Sequence, residues 1–365
     1  MSPSDESQPC AGADKSHWPL TLTFTQVAGL LNFELADHPV YDGAEIQWFD
    51  DDVHGTGMLV FLSRRGDKTV EDYSDPHLEV DRSGYEIGGG IRSWNPTQFD
   101  VSRFEIAPDG VTAEVRFSDV EGRSVEISID DRDGRPRQRA ALLAPVSANI
   151  ERPTSLMLVW MPSFDLVRAT ATEPVIRFDG ADARIGRLPG ARLHRRYLIK
   201  YAGPVLVLEV NRDHEVPISA LSSDEHYQLT ADGRLASLAA DSDGHQAQLF
   251  LEPGLPRLGR NVQQASAHGR WNVAIDGAVL TGGSWSMLST SQDVKIDFVV
   301  DQRWRPGPLP WLMKIVTTVV PVFRQWPTTY RWRCEVNRAP VPRVTSRWER
   351  SSGRGATAYR RFMRS

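Results

Sequence analysis

Cysteine is nearly absent from the chain: two residues, Cys10 and Cys334, stand at opposite ends of 365. With no Cys-x-x-Cys pair there is no disulfide framework, a usage that fits a reducing cytoplasm. Cys334, within Arg333-Cys334-Glu335-Val336, reads as a small core residue of a strand rather than as a nucleophile. No window approaches 18 uncharged apolar residues, so no membrane-spanning helix is expected. The opening Met1-Ser-Pro-Ser-Asp-Glu-Ser is polar and acidic, and no secretory leader is readable in it. Compact catalytic motifs are missing as well. Gly55-Thr56-Gly57 lacks the third glycine of a dinucleotide loop, and Gly88-Gly89-Gly90 has no following Lys-Ser/Thr. Neither His-Glu-x-x-His nor Gly-x-Ser-x-Gly occurs. These absences weigh against common nucleotide enzymes, zinc peptidases and α/β-hydrolases, and no cofactor or metal is expected. They leave open chemistry assembled from scattered strands.

Turn chemistry and alternation are plentiful. Asp-Gly occurs seven times, at Asp42, Asp109, Asp133, Asp179, Asp232, Asp243 and Asp276, and both residues tolerate the positive φ of tight hairpins. After Asp109-Gly110, Val111, Ala113, Val115 and Phe117 alternate with polar residues. A polar turn follows, and then Val125, Ile127 and Ile129 alternate again. This period of two on both arms predicts a hairpin with one wet face. Trp271, Val273 and Ile275 repeat the pattern, as do Val294, Ile296, Phe298 and Val300. Val205–Val210 and Leu156–Met161 read as more buried strands. Helical periodicity is nearly absent before residue 310; Pro310–Phe323 is the exception, with Leu312, Ile315, Val316, Val319 and Phe323 on one stripe, Pro310 suited to the first turn and Pro321 to its end. The expected fold class is all-β, a large antiparallel β architecture with one short helix near 310–323. The expected organisation is a disordered N-terminus (1–16), a first β domain (18–170), a second with the short helix (175–337), and a disordered Arg-rich tail (338–365).

Charge is divided along the chain. The net charge of −5 combines 14 Arg/Lys against 2 acids from Arg303 onward with 28 against 45 before it, or +12 against −17. Five of the eleven tryptophans, Trp304, Trp311, Trp326, Trp332 and Trp348, lie in that basic end among arginines. Such mixtures suit a membrane interface with anionic lipid. Nucleic acid is the weaker partner, because the acidic body repels phosphate. The candidate surface contacts are Trp311, Arg338, Arg343, Arg347 and Arg350, with Trp326–Trp332 reading as strand core.

Three polar groupings could carry chemistry. Trp48-Phe49-Asp50-Asp51-Asp52-Val53-His54 gathers carboxylates beside an imidazole, where mutual repulsion separates pKa values and an acid/base pair can arise. Asp50, Asp52 and His54 are the candidate catalytic set, with Trp48 as a ligand contact; the ordinary alternative is an acidic connector between two strands. Glu71–His77 reads as a solvated loop. In His194–Tyr201, a strand would place Lys200 and Tyr201 on opposite faces, and either could orient a ligand; the ordinary reading is a solvent face with the aromatics in the core.

Ala44-Glu-Ile-Gln-Trp-Phe-Asp-Asp followed by Gly57-Met-Leu-Val-Phe-Leu resembles the opening strand pair of the tandem lipocalin-like family that includes carotenoid hydratases. The resemblance covers about twenty residues and carries over no catalytic residue. It implies a pair of β-barrels with an apolar cavity; a single sandwich of the sugar-mutarotase kind is the competing layout. The functional expectation is a cytoplasmic protein that binds a hydrophobic, lipid- or isoprenoid-like small molecule in contact with a membrane surface. The alternative is a cofactor-independent hydratase, isomerase or epimerase.

Overall fold

The computed structural model describes residues 18–66, 69–82, 91–144, 153–169, 172–186, 188, 190–217, 226–258, 265–304, 309–319, 326–337 and 343–350. Strands dominate, 65% against 4% helix, in large antiparallel sheets. The first sheet is ten-stranded: β1 (Leu22–Val27), β2 (Gly29–Glu34), β3 (Tyr41–Asp51), β4 (Gly55–Arg64), β5 (Thr69–Ser74), β6 (Ile91–Pro96), β10 (Ala140–Ala144), β11 (Leu156–Arg168), β14 (Arg196–Ala202) and β15 (Val205–Val210). Its order is β1-β15-β11-β14-β2-β3-β4-β5-β6, with β10 added beside β11. A five-stranded sheet joins β7 (Val101–Ala107), β8 (Gly110–Ser118), β9 (Ser124–Asp130), β12 (Val175–Phe178) and β13 (Ala181–Asp182). The third sheet runs through β16 (His214–Pro217), β17 (His226–Leu229), β18 (Leu235–Ser242), β19 (His245–Leu255), β20 (Ala265–Ile275), β21 (Ala278–Ser289), β22 (Asp293–Gln302), β23 (Tyr330–Asn337) and β24 (Arg343–Arg350). Two helices lie among the described residues: α1 (Ala191–His194), a single turn, and α2 (Trp311–Val319).

The all-β expectation and its short helix are found. Among the described residues the sheets form no closed barrel, so the lipocalin-like layout remains without support. The predicted hairpin forms β8 and β9 in the register Val115↔Ile127, its apolar face buried at Val111, Ala113, Val115, Phe117, Val125, Ile127 and Ile129. Asp179-Gly180, Asp243-Gly244 and Asp276-Gly277 have positive φ at both residues and close two-residue hairpins. Asp42-Gly43 makes no turn: it lies inside β3, where a Cβ on Gly43 would fall 2.5 Å from the Phe33 carbonyl oxygen.

The ten-stranded sheet is creased. Val27 pairs Val205 and Leu30 pairs Ala202, so β1–β2 and β15–β14 run as two long antiparallel chains interrupted at the same place. At that crease a Cβ on Gly203 would meet the Ala28 oxygen and the Ile106 side chain, both at 2.9 Å, which is why the backbone there must be glycine. On the β2–β3–β4–β14 side, Leu31, Phe33, Ile46, Val60, Ile199 and Tyr201 join Val115, Phe117, Ile127 and Ile176 of the five-stranded sheet in one core. β1, β11 and β15 belong to a second core, shared with the inner face of the nine-stranded sheet and its Trp271, Trp285, Phe298 and Trp332.

Two expected boundaries move. The first unit does not end at 170, because β14 and β15 complete its sheet and the stretch near 170–190 adds β12 and β13 to β9. The change of sheet falls between Val210 and His214. Arg343–Arg350, placed in a tail by composition, is β24, paired with β23 and with β16. Its arginines are the wet half of an alternation whose other half, Val344, Ser346 and Trp348, is buried. Trp348 donates from Nε1 to the Val210 and Asn211 carbonyls at 3.1 and 2.6 Å, tying the nine-stranded sheet to the end of the first. Residues 1–16, 351–365 and Arg338 lie outside the described residues.

Candidate functional site

Asp50, Asp52 and His54 sit at the hairpin between β3 and β4, and no hydrogen bond joins either aspartate to the histidine among the described residues. Asp50 and Asp52 are exposed, and the Asp50 carboxylate accepts from the Thr56 hydroxyl at 2.8 Å. His54 is bound by Asp51, which accepts its amide at 2.7 Å and meets its Nδ1 at 3.0 Å. Burial works to raise the Asp51 pKa, but the His54 amide and ring and the Val53 amide hold it below the ordinary value. This is an Asx-type turn whose aspartate organises the loop backbone. The second acidic stretch runs beside the same hairpin, the Asp75 amide donating to the Met58 carbonyl at 3.0 Å, and just beyond that stretch the Glu79 amide donates to the His54 carbonyl at 3.0 Å.

Trp48, Lys200 and Tyr201 separate. Trp48 is half-buried and packs at the margin of the core beneath the five-stranded sheet. Lys200 reaches out to Glu34 at 3.4 Å, whereas Tyr201, on the opposite face, is fully buried. Tyr201 leads to a buried charged cluster. Its hydroxyl lies 3.5 Å from Asp165 Oδ2, and the Arg139 guanidinium stands 5.5 Å from its ring centroid. Asp165 also accepts from Arg196 at 2.7 Å. Arg137 bonds Asp131 Oδ1 at 3.0 Å, both side chains being wholly buried, and the Arg168 amide donates to the same oxygen at 3.0 Å. Asp131 Oδ2, Arg137 Nη1 and Arg139 Nε have no hydrogen-bond partner among the described residues. Burial pushes Asp131 up to about 6 against the pull of Arg137, and burial with Asp165 nearby pushes Tyr201 up to about 12.

A second cluster lies between β3, β5 and the β8–β9 turn, and nothing in the local sequence announces it. Glu71, read from sequence as part of a solvated loop, is buried in β5. It accepts from Tyr41 at 2.9 Å and Tyr73 at 2.5 Å, and from Arg64. The single hydroxyl hydrogen of Tyr41 is shared between Glu71 and Asp119, whose carboxylate lies 3.0 Å from the phenol oxygen and accepts from Arg123 at 2.7 Å. Burial works to raise the Asp119 pKa, but Arg123, Tyr41 and nearby amides hold it below the usual range. Burial first, and Glu71 second, push both phenols well up. Each of these carboxylates is met by an arginine and by one or two phenols, an arrangement that stabilises packing and leaves no acid to spare.

The basic end divides similarly. Arg343 and Arg347 project outward from β24, whereas Arg350 bonds Thr329 Oγ1 at 3.3 Å. On α2, Met313 is buried, while Trp311, Ile315 and Val319 are 60, 49 and 59% exposed. The apolar stripe read from the sequence therefore turns Ile315 and Val319 to solvent; the helix is apolar on more than one side. No group of three or more His, Cys, Asp or Glu side chains is placed to hold a metal ion among the described residues.

No family model, curated protein or solved structure matches this chain. The reading of its function therefore rests on its own geometry.

Proposed function

We propose that the protein binds a hydrophobic, lipid- or isoprenoid-like molecule at an anionic membrane surface, with α2 as the face that meets the bilayer. The observation that carries this reading is the row Trp311, Ile315 and Val319, one helical turn apart and open to solvent. A helix packed on one side by Met313 ordinarily presents polar residues on the other. Three large apolar side chains there leave a patch that costs free energy in water and gains it in an acyl boundary. Lys314 is exposed beside them, with a stem long enough to stay in apolar surroundings while its ammonium meets phosphate. From Arg303 to Cys334 the chain carries six basic residues and no acid, so anionic headgroups are attracted to this region. Among the described residues no helix is long and apolar enough to cross a membrane, and nine residues suit a helix lying in the interface. A bilayer-dissolved ligand would be exchanged at this face. The alternative, cofactor-independent acid–base chemistry, would draw on Asp50, Asp52 and His54 at the β3–β4 hairpin.

Flotation on vesicles of phosphatidylcholine alone or mixed with phosphatidylglycerol tests the reading. The expected result is binding to the anionic vesicles that is lost when Trp311→Ser, Ile315→Ser and Val319→Ser are combined. Equal flotation of the triple variant, or no flotation of the native protein, overturns it.

A further inference from the structure

Several of the sheet ends are guarded in ways that keep edge strands from pairing. β13 has two residues, β16 and β17 have four each, and β6 and β16 end in proline. β7 is a sheet end too, since among the described residues it pairs only with β8. It runs for seven residues, Val-Ser-Arg-Phe-Glu-Ile-Ala, with no proline and with an unbroken register.

The direction of its free backbone groups follows from its neighbours. The Asp131 amide donates to the Val111 carbonyl at 2.9 Å, so β8 turns Val111 and every second residue after it to β9. Gly110, Thr112, Glu114 and Arg116 are left to bond β7, where they face Ala107, Glu105, Arg103 and Val101. The N–H and C=O groups of Ser102, Phe104 and Ile106 therefore point to the open edge, and they have no hydrogen-bond partner among the described residues. The apolar cover stops there as well. Phe104 and Ile106 are half-buried, whereas Val111, Ala113, Val115 and Phe117, on the same face of β8, are at most 1% exposed.

We propose that β7 pairs with the β7 of a second copy of this chain, antiparallel and centred on Phe104, so that the two five-stranded sheets become one continuous sheet in a two-fold dimer. The strand is complementary to itself in this register. Ser102 meets Ile106 of the second copy and Phe104 meets its own counterpart, which joins the free N–H and C=O groups in pairs. Arg103 and Glu105 then stand opposite each other on both sides of the axis, in non-hydrogen-bonded pairs with Cα atoms about 4.5 Å apart. Their side chains are 78 and 64% exposed, and each has an ion-pair partner within the chain, Glu114 at 3.5 Å and Arg132 at 2.9 Å. The dimer extends these contacts rather than competing with them: across the axis the charges run Glu114, Arg103, Glu105, Arg132, in alternating sign. Centring the axis on Arg103 or on Glu105 instead sets like charges face to face. The inference stands on the strand edge alone and does not depend on the membrane reading.

Sedimentation equilibrium of the full-length protein over a range of concentrations tests the proposal. The native protein is expected to dimerise reversibly. Arg103→Glu alone sets carboxylate against carboxylate at both pairs, and Glu105→Arg alone sets guanidinium against guanidinium. Each is expected to weaken dimerisation about tenfold or more. Mixed in equal amounts, the two variants restore opposite charge at both pairs, and a heterodimer is expected within about threefold of the native affinity. Ser102→Pro removes an edge N–H without touching the β8 ladder, and it is expected to weaken dimerisation by a similar factor. All three variants should keep the native far-ultraviolet circular dichroism. A native protein that stays monomeric at every concentration up to about 1 mM overturns the proposal. So does undiminished dimerisation of any of the three variants, or a mixture that dimerises no better than its components.

Discussion

The nine-stranded sheet takes β17 to β24 in the order they occur in the chain, with β16 added at one edge. The ten-stranded sheet interleaves strands from as far apart as Leu22 and Val210. Their interiors differ in kind. Among the described residues the buried polar side chains of the nine-stranded sheet are hydroxyls alone, Ser237, Thr281, Ser289 and Ser346. Every buried charge lies earlier: Glu71, Asp72, Asp119, Asp131, Arg137, Asp165 and Glu209. Local hairpins need little beyond alternation to find their register. Pieces brought together from distant parts of the chain gain from partners that tolerate only one arrangement, and a paired charge is such a partner.

The strongest test of this contrast removes aromatic packing from the meander. Trp332→Ala takes out an indole packed edge-on to Phe298 at 5.4 Å and should cost about 3–5 kcal/mol. Urea unfolding reads the loss, and hydrogen exchange should place it first in β20–β23. Arg137→Ala leaves the wholly buried Asp131 uncompensated and should cost a comparable 3–5 kcal/mol or so, with exchange rising first around β9, β11 and β14. A loss below about 1 kcal/mol would break the idea that charge pins the interleaved sheet.

The next effect is a pH dependence. Asp131 is raised to about 6 in the folded protein from an ordinary 3.8. The folded state therefore holds its proton more tightly, and this group's contribution to stability falls as pH rises from about 4 to 6, then levels off. The shift corresponds to about 3 kcal/mol. Denaturant midpoints across that window should show a component that disappears in Asp131→Asn. Tyr41→Phe should be milder, about 1–2 kcal/mol, because Arg64 and Arg123 still hold Glu71 and Asp119 after the hydroxyl is gone. Thermal melting measures it. Smallest of all, the triple serine variant of α2 should leave stability within about 0.5 kcal/mol while abolishing vesicle binding. A large destabilisation would mean that the stripe packs against the protein after all.

What the sequence made legible follows the same division. The β8–β9 hairpin, the strands around Trp271 and Val294, the buried Cys334 and α2 all follow from local period and turn chemistry. Composition misled at Arg343–Arg350, where arginine density hid a strand that buries every second residue. At Asp50–His54 the carboxylates crowd where Asp51 closes a turn. The buried clusters were not legible, because their members come from separate elements. Tyr41, Glu71 and Asp119 meet across intervals of 30 and 78 residues, and no local pattern encodes such a meeting. Tyr201 was singled out beside Lys200, yet its partners Asp165 and Arg139 were visible only once β11 and β14 had been paired.

The interleaving also sets a schedule for synthesis. Among the described strands, β1 hydrogen-bonds only with β15, which leaves the ribosome some 180 residues after it. At about 5–20 residues per second, the first strand made waits roughly 10–40 s for its partner. During that time an apolar segment, Leu22-Thr-Phe-Thr-Gln-Val27, is available to any neighbouring nascent chain. Slowing elongation between β11 and β15 would lengthen that exposure, and co-translational aggregation, rather than the final stability of the protein, is where the cost would be felt.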